Sequence, residues 1–139
     1  MNIFIRLRLF LRYYLKEYHK INQVSVVPIN QVNNLMKNQN ISLAINIHSF
    51  SEMTIDFVKF WIDKINKMKI QYLFIVPNSG EEYKGDLISF DKIDFKPLIE
   101  SYGYNLIVKR DKYLNPHIQK YGLNPTMYYL FNKPNFIKG

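Results

Sequence analysis

Residues 48–53, His48-Ser49-Phe50-Ser51-Glu52-Met53, bring an imidazole, two hydroxyls and a carboxylate into one turn of chain. A neutral imidazole can take a proton from a hydroxyl near pH 7, which makes His48 the candidate general base. Glu52 can hold a neighbouring hydroxyl or replace His48 as the base. Ser49 and Ser51 can hydrogen-bond a polyol, and Asn78, in Pro77-Asn78-Ser79-Gly80, offers an amide for the same task. Each residue also has a plainer role. A loop histidine can simply be hydrogen-bonded, and a glutamate at a helix start caps backbone N–H groups. The serines can cap in the same way, and an asparagine after proline forms turns. No partner spacing around the serines supports a nucleophilic triad. His19, His48 and His117 show no metal-ligand spacing, and a chain without cysteine has no thiolate site and no disulfide.

The elements around the knot explain why these residues draw notice. Leu43 to Ile47 is a short apolar run that reads as a strand, and it stops at His48. Thr54 to Lys67 is the clearest helix, with Thr54 as its cap and Asp56 in its first turn. Its wheel buries Val58, Trp61, Ile62, Ile65 and Met68 and exposes Asp56, Lys59 and Asp63, with Asp63 and Lys67 paired at i, i+4. Ile70 to Val76 is a continuous apolar strand, of the kind buried on both faces in parallel sheets. A β-helix-β crossover makes the two strands parallel, so His48, Glu52 and Asn78 should emerge at one sheet edge. Chemistry in open α/β sheets gathers beyond the carboxyl ends of strands. The amides at the start of the helix would also lie there, as a dock for a carboxylate.

The rest of the chain reads more coarsely. Val24 to Val27 is a strand ended by Pro28, and Asn30 to Asn40 is a short helix or turn. Glu81 to Asp91 is a charged excursion. Asp94 caps a helix that carries Pro97 and packs Leu98, Ile99 and Tyr102 inward, with Gly103 as its left-handed stop. Tyr104 to Lys109 is a strand, Asp111 to Pro125 a long loop, and Met127 to Phe131 the last strand, pairing antiparallel with the one before.

The chain has 139 residues, 47% hydrophobic, with a formal net charge of +8. That suffices for one domain with a core and argues against disorder. The basic residues are dispersed, and no nucleic-acid-reading motif is present, so no specific nucleic acid is expected. Residues 1–20 form an amphipathic helix on the wheel: Ile3, Phe4, Leu7, Phe10, Leu11, Tyr14, Leu15 and Tyr18 face one way and Arg8, Arg12 and Lys16 the other. It can dock on the protein's own sheet or lie on a membrane surface, and Ile5 to Leu9 also alternates as a strand would. It is too charged for a membrane span. No signal-peptide cleavage pattern follows, so a cytoplasmic location is expected.

Three stretches carry a family resemblance: LAINIHSFSEMTIDFVKFWIDKI, IQYLFIVPNSG and PLIESYGYNLIVKR. In order and spacing they resemble the latter part of a class I S-adenosylmethionine-dependent methyltransferase, and more narrowly the sugar O-methyltransferase family. They are similar to that family's fourth strand with its loop and helix, its fifth strand with its asparagine, and the helix, Gly-aromatic turn and sixth strand before a closing hairpin. RYYLKEYHKINQVSVVPINQ is similar to the helix before the third strand and that strand. The resemblance implies an α/β, Rossmann-like sheet, mostly parallel with a C-terminal antiparallel hairpin. It also implies S-adenosylmethionine as cofactor and a sugar or glycan hydroxyl as acceptor. The family's first strand ends in a glycine-rich turn and its second in an acid for the ribose. Here the glycines are Gly80, Gly85, Gly103, Gly122 and Gly139, all late in the chain. The expectation is therefore a single partial domain over 1–139, with 1–20 its amphipathic helix and 24–131 its strands and helices. It is either a fragment or degraded gene product, or a chain that another chain completes; the alternative is a non-catalytic remnant or partner-binding subunit with no activity alone. A small basic binder of nucleic acid or membrane through residues 1–20 is the third reading.

Overall fold

The computed structural model describes residues 27–35, 41–79, 81–122 and 126–134. The chain divides into two compact units, 1–39 and 40–139. In the first, a 3-10 turn at Ile29–Gln31 runs into a single helical turn, α1 (Val32–Leu35), as the Asn-rich spacing suggested. The helix expected over 1–20 and residues 24–26 of the expected strand lie outside the described residues. Val27 and Pro28 belong to no regular element.

The second unit runs β1 (Leu43–Ile47), a 3-10 turn at Ser49–Glu52, α2 (Ile55–Lys67), β2 (Tyr72–Val76) and a 3-10 turn at Glu81–Tyr83. Then follow α3 (Lys96–Ser101), β3 (Asn105–Asp111), α4 (Pro116–Tyr121) and β4 (Met127–Asn132). The strands form an open four-stranded sheet in the order β1-β2-β4-β3. β1 and β2 are parallel, from Leu43↔Tyr72 to Ile47↔Val76. β4 lies antiparallel to both β2 and β3. The unit is thus a mixed α/β fold. The expected hairpin is present, but its last strand inserts between β2 and β3. Most pairings in the described sheet are therefore antiparallel, although only β4 runs against the other strands.

Local chemistry accounts for these elements. α2 ends in a pair of bonds, Lys69 N–H to Asn66 C=O and Ile70 N–H to Ile65 C=O, with Lys69 left-handed at φ 54°. This is the helix stop that normally selects glycine, here carried by a lysine at some cost in strain. α3 stops at Gly103, φ +85°, as expected. The segment 111–125 is not only loop: Asn115 accepts bonds from His117 N–H and Ile118 N–H and starts α4 on Pro116. That asparagine-proline pair is a helix-start signal that the loop reading passed over.

The core lies on one face of the sheet. Val58 and Ile62 of α2 and Phe95 and Ile99 around α3 pack over Leu73, Ile75, Tyr129 and Phe131. α2 buries Val58 and Ile62 and exposes Asp56 and Lys59 as expected, while Trp61 and Ile65 pack on the core only half-buried and Asp63 is not fully exposed. β2 is less enclosed than expected, with Tyr72 and Phe74 half-buried beside buried Leu73, Ile75 and Val76. The excursion after β2 is tied to the core. Leu87 is buried, Phe95 N–H bonds Leu87 C=O, and the Tyr129 hydroxyl donates to Gly85 C=O. A Cβ on Gly85, φ +80°, would lie 2.8 Å from the Met127 backbone nitrogen, so only glycine lets this turn close on β4.

Candidate functional site

β1 and β2, being parallel neighbours, release their following residues at one edge. His48 N–H bonds Val76 C=O at 2.7 Å, and Asn78 N–H bonds the Ser51 hydroxyl at 3.0 Å. The two loops that carry the expected site residues are therefore stitched together. His48 and Ser49 are half-buried, and Glu52 and Asn78 are exposed. Ser51 is 8% exposed, and its hydroxyl accepts the Asn78 N–H. It positions the second loop more than it faces solvent. His48, Glu52 and Asn78 thus share the sheet edge that the crossover argument required.

His48 adopts φ 67°, ψ −37°, a conformation that L-residues rarely occupy. Such strain persists only where neighbours over-determine it, and it collects at functional sites. The neighbours here are explicit. Ser51 N–H closes the 3-10 turn on His48 C=O. Asn46, the one polar side chain of β1, brackets the turn: its amide nitrogen donates to the Ser49 hydroxyl at 2.6 Å and its oxygen accepts Phe50 N–H at 3.1 Å. Phe50 is buried against Phe95, edge to face at 6.0 Å, and anchors the knot in the core. Sequence reasoning missed Asn46, although a lone amide in an apolar strand was a visible signal.

The start of α2 differs from expectation. Thr54 is at the cap position, but its side chain makes no capping bond. Ile55 N–H is taken instead by the Asp91 carboxylate, at 3.0 and 3.3 Å, from the excursion. Asp91 also accepts from the Ser89 hydroxyl at 2.6 Å. That bond, helped by Ile55 N–H, holds the carboxyl below the usual range. Phe57 N–H and Val58 N–H both bond Thr54 C=O. The helix N-terminus expected to receive a ligand carboxylate is therefore already clasped by one from this chain. No sequence signal marks a residue so far along the chain as the cap.

Around Asn78, Pro77 is buried and its carbonyl accepts the Thr126 hydroxyl at 2.8 Å, which fixes the loop to the start of β4. The Ser79 hydroxyl is buried with no partner among the described residues. A cleft of about 750 Å³ is bordered by Lys84, Asp111, Gln119 and Lys120, none of which belongs to the His48 knot. Among the described residues no cluster of His, Asp or Glu could hold a metal ion. Among them, too, no helix is long and apolar enough to cross a membrane. Compared with known proteins, the chain matches no family model, no curated protein and no solved structure.

Proposed function

We propose that residues 40–139 form the acceptor side of an S-adenosylmethionine-dependent O-methyltransferase acting on a sugar hydroxyl. The observation that carries this reading is the convergence of His48, Glu52 and Asn78 at the carboxyl ends of two adjacent parallel strands, with His48 held in a strained conformation. In this role His48 accepts the hydroxyl proton, and Glu52 and Asn78 hold neighbouring hydroxyls of the ring. The one reversed strand and the hairpin that it closes agree with the resemblance in the sequence.

The cofactor is another matter. No glycine precedes Gly80 in the chain, and at the start of α2 the Ile55 N–H is taken by Asp91. The described residues offer no cradle for the cofactor's methionine end or its ribose, so these residues do not fit that group. The same two observations favour the second reading, a non-catalytic remnant or partner-binding subunit that binds no cofactor on its own.

Two titrations test the proposal. Calorimetry of the full chain with S-adenosylmethionine should show weak binding or none, and a complex tighter than about 1 μM would remove the case for an incomplete cofactor site. For the acceptor side, the His48 ring resonance, assigned with a His48→Ala variant, should shift when mono- and disaccharides are added, while that of His117 stays fixed. A His48 resonance indifferent to every sugar tried would refute the acceptor reading. Should the missing strands be restored and turnover follow, His48→Ala should abolish it; full activity would move the base role to Glu52.

A further inference from the structure

The two edges of the sheet are built differently. The β3 edge carries the devices that keep an edge from pairing: a register shift between Leu106 and Val108, and then Lys109, Arg110 and Asp111 in sequence. The β1 edge carries none of them. Leu43-Ala44-Ile45-Asn46-Ile47 has no charge, no proline and no glycine, and its register with β2 is unbroken. Among the described residues β1 pairs only with β2. Three of its side chains, Leu43, Ile45 and Ile47, point to the sheet face opposite α2 and are 44%, 61% and 59% exposed.

Among the described residues the outer backbone groups of β1 are unpaired as well. Ser42 C=O accepts from Tyr72 N–H, and His48 N–H donates to Val76 C=O. Even-numbered residues therefore turn their polar groups toward β2, and the N–H and C=O groups of Leu43, Ile45 and Ile47 turn outward. The pattern is also symmetric about its middle residue. In an antiparallel pair centred on Ile45, Leu43 faces Ile47, Ile45 faces its own copy and Ala44 faces Asn46. Each outward-facing residue then exchanges both backbone bonds, and the exposed Leu-Ile-Ile stripes join into one. No like charges meet.

From this we infer that β1 is a self-recognition edge, on which a second copy of this chain pairs β1 to β1 across a twofold axis. The inference does not depend on the methyltransferase reading. A five-residue seam falls short of the roughly 800 Å² per partner of a standard stable interface. The dimer is therefore weak and concentration-dependent, with Kd in the micromolar range.

The test uses the full chain in sedimentation velocity from about 1 to about 200 μM, a span set to bracket the expected Kd. The wild type should shift from monomer to dimer across it. Ile45→Lys should stay monomeric with an unchanged unfolding midpoint, because two lysines would face each other at the seam while the side chain stays in solvent in the monomer. Ile107→Lys, which removes an isoleucine that is also exposed, at 50%, from the guarded edge, should dimerise like the wild type. The absence of cysteine allows a second arm that fixes the register. Ile45→Cys should oxidise to a disulfide dimer, since facing Cα atoms lie about 5.5 Å apart in a bonded antiparallel pair. Leu43→Cys should not, since its own copy would lie roughly 14 Å away. A wild type that stays monomeric throughout, a dimer that survives Ile45→Lys, or equal crosslinking at both positions would each overturn the inference.

Discussion

Asn46→Ala is the substitution that most directly probes the knot. The side chain makes two bonds, to the Ser49 hydroxyl and from Phe50 N–H, both in partly buried surroundings. Each such bond is worth about 1 kcal/mol net. The truncation removes both and leaves Phe50 N–H without its acceptor, so the loss is about 2 kcal/mol. For a unit of this size that lowers the unfolding midpoint by about 10 °C. The same logic gives an opposite sign next door. His48→Gly relieves a left-handed strain of order 1–3 kcal/mol, offset by the extra chain entropy of glycine, for a net gain of roughly 1 kcal/mol. Thermal and urea unfolding followed by circular dichroism measure both. An Asn46, Ser49 double-alanine cycle should give a coupling near 1 kcal/mol, since the two side chains share a bond. A loss under about 0.5 kcal/mol for Asn46→Ala, or a destabilising His48→Gly, would show that the turn is not held as described.

Lys69→Gly should stabilise the protein by about 0.5–1 kcal/mol, because Lys69 occupies the left-handed stop of α2; urea midpoints report it, and no gain would contradict the strained helix end. Burial pushes the Tyr104 hydroxyl, bonded to Ile70 C=O at 2.6 Å, up to about 12. The neutral phenol is thus favoured in the fold, and its contribution is complete below the ordinary value near 10 and lost as pH rises toward 12. Absorbance at about 295 nm should show one tyrosine ionising last, together with unfolding, and Tyr104→Phe should remove that step. The Asp91 clasp has the opposite sense: its depressed carboxyl contributes above the ordinary carboxylate range and is lost as pH falls through its lowered value. Asp91→Asn should therefore lower stability at neutral pH and converge with the wild type in strong acid, a pattern that pH-dependent melting curves would reveal or exclude.

Much of the second unit was legible because its signals are local. The apolar run 43–47, the 3.6-residue spacing over 55–67 and the run 70–76 each follow from neighbours along the chain. Together they required parallel β1 and β2 with His48, Glu52 and Asn78 at one edge, as found. Gly103 marked its helix stop for the same reason: only its own φ was at issue. The half-buried state of Trp61 was not legible, because a wheel gives the apolar side of a helix and not the angle at which a sheet meets it. Nor was the capping of α2 by Asp91, since a carboxylate 36 residues away satisfies Ile55 N–H only once the excursion has folded back. The insertion of β4 between β2 and β3 likewise depends on which backbone groups remain unpaired after the earlier strands assemble. Local periodicity determined the elements and the direction in which they deliver the candidate site. Long-range hydrogen bonding decided which side chains hold that site in place.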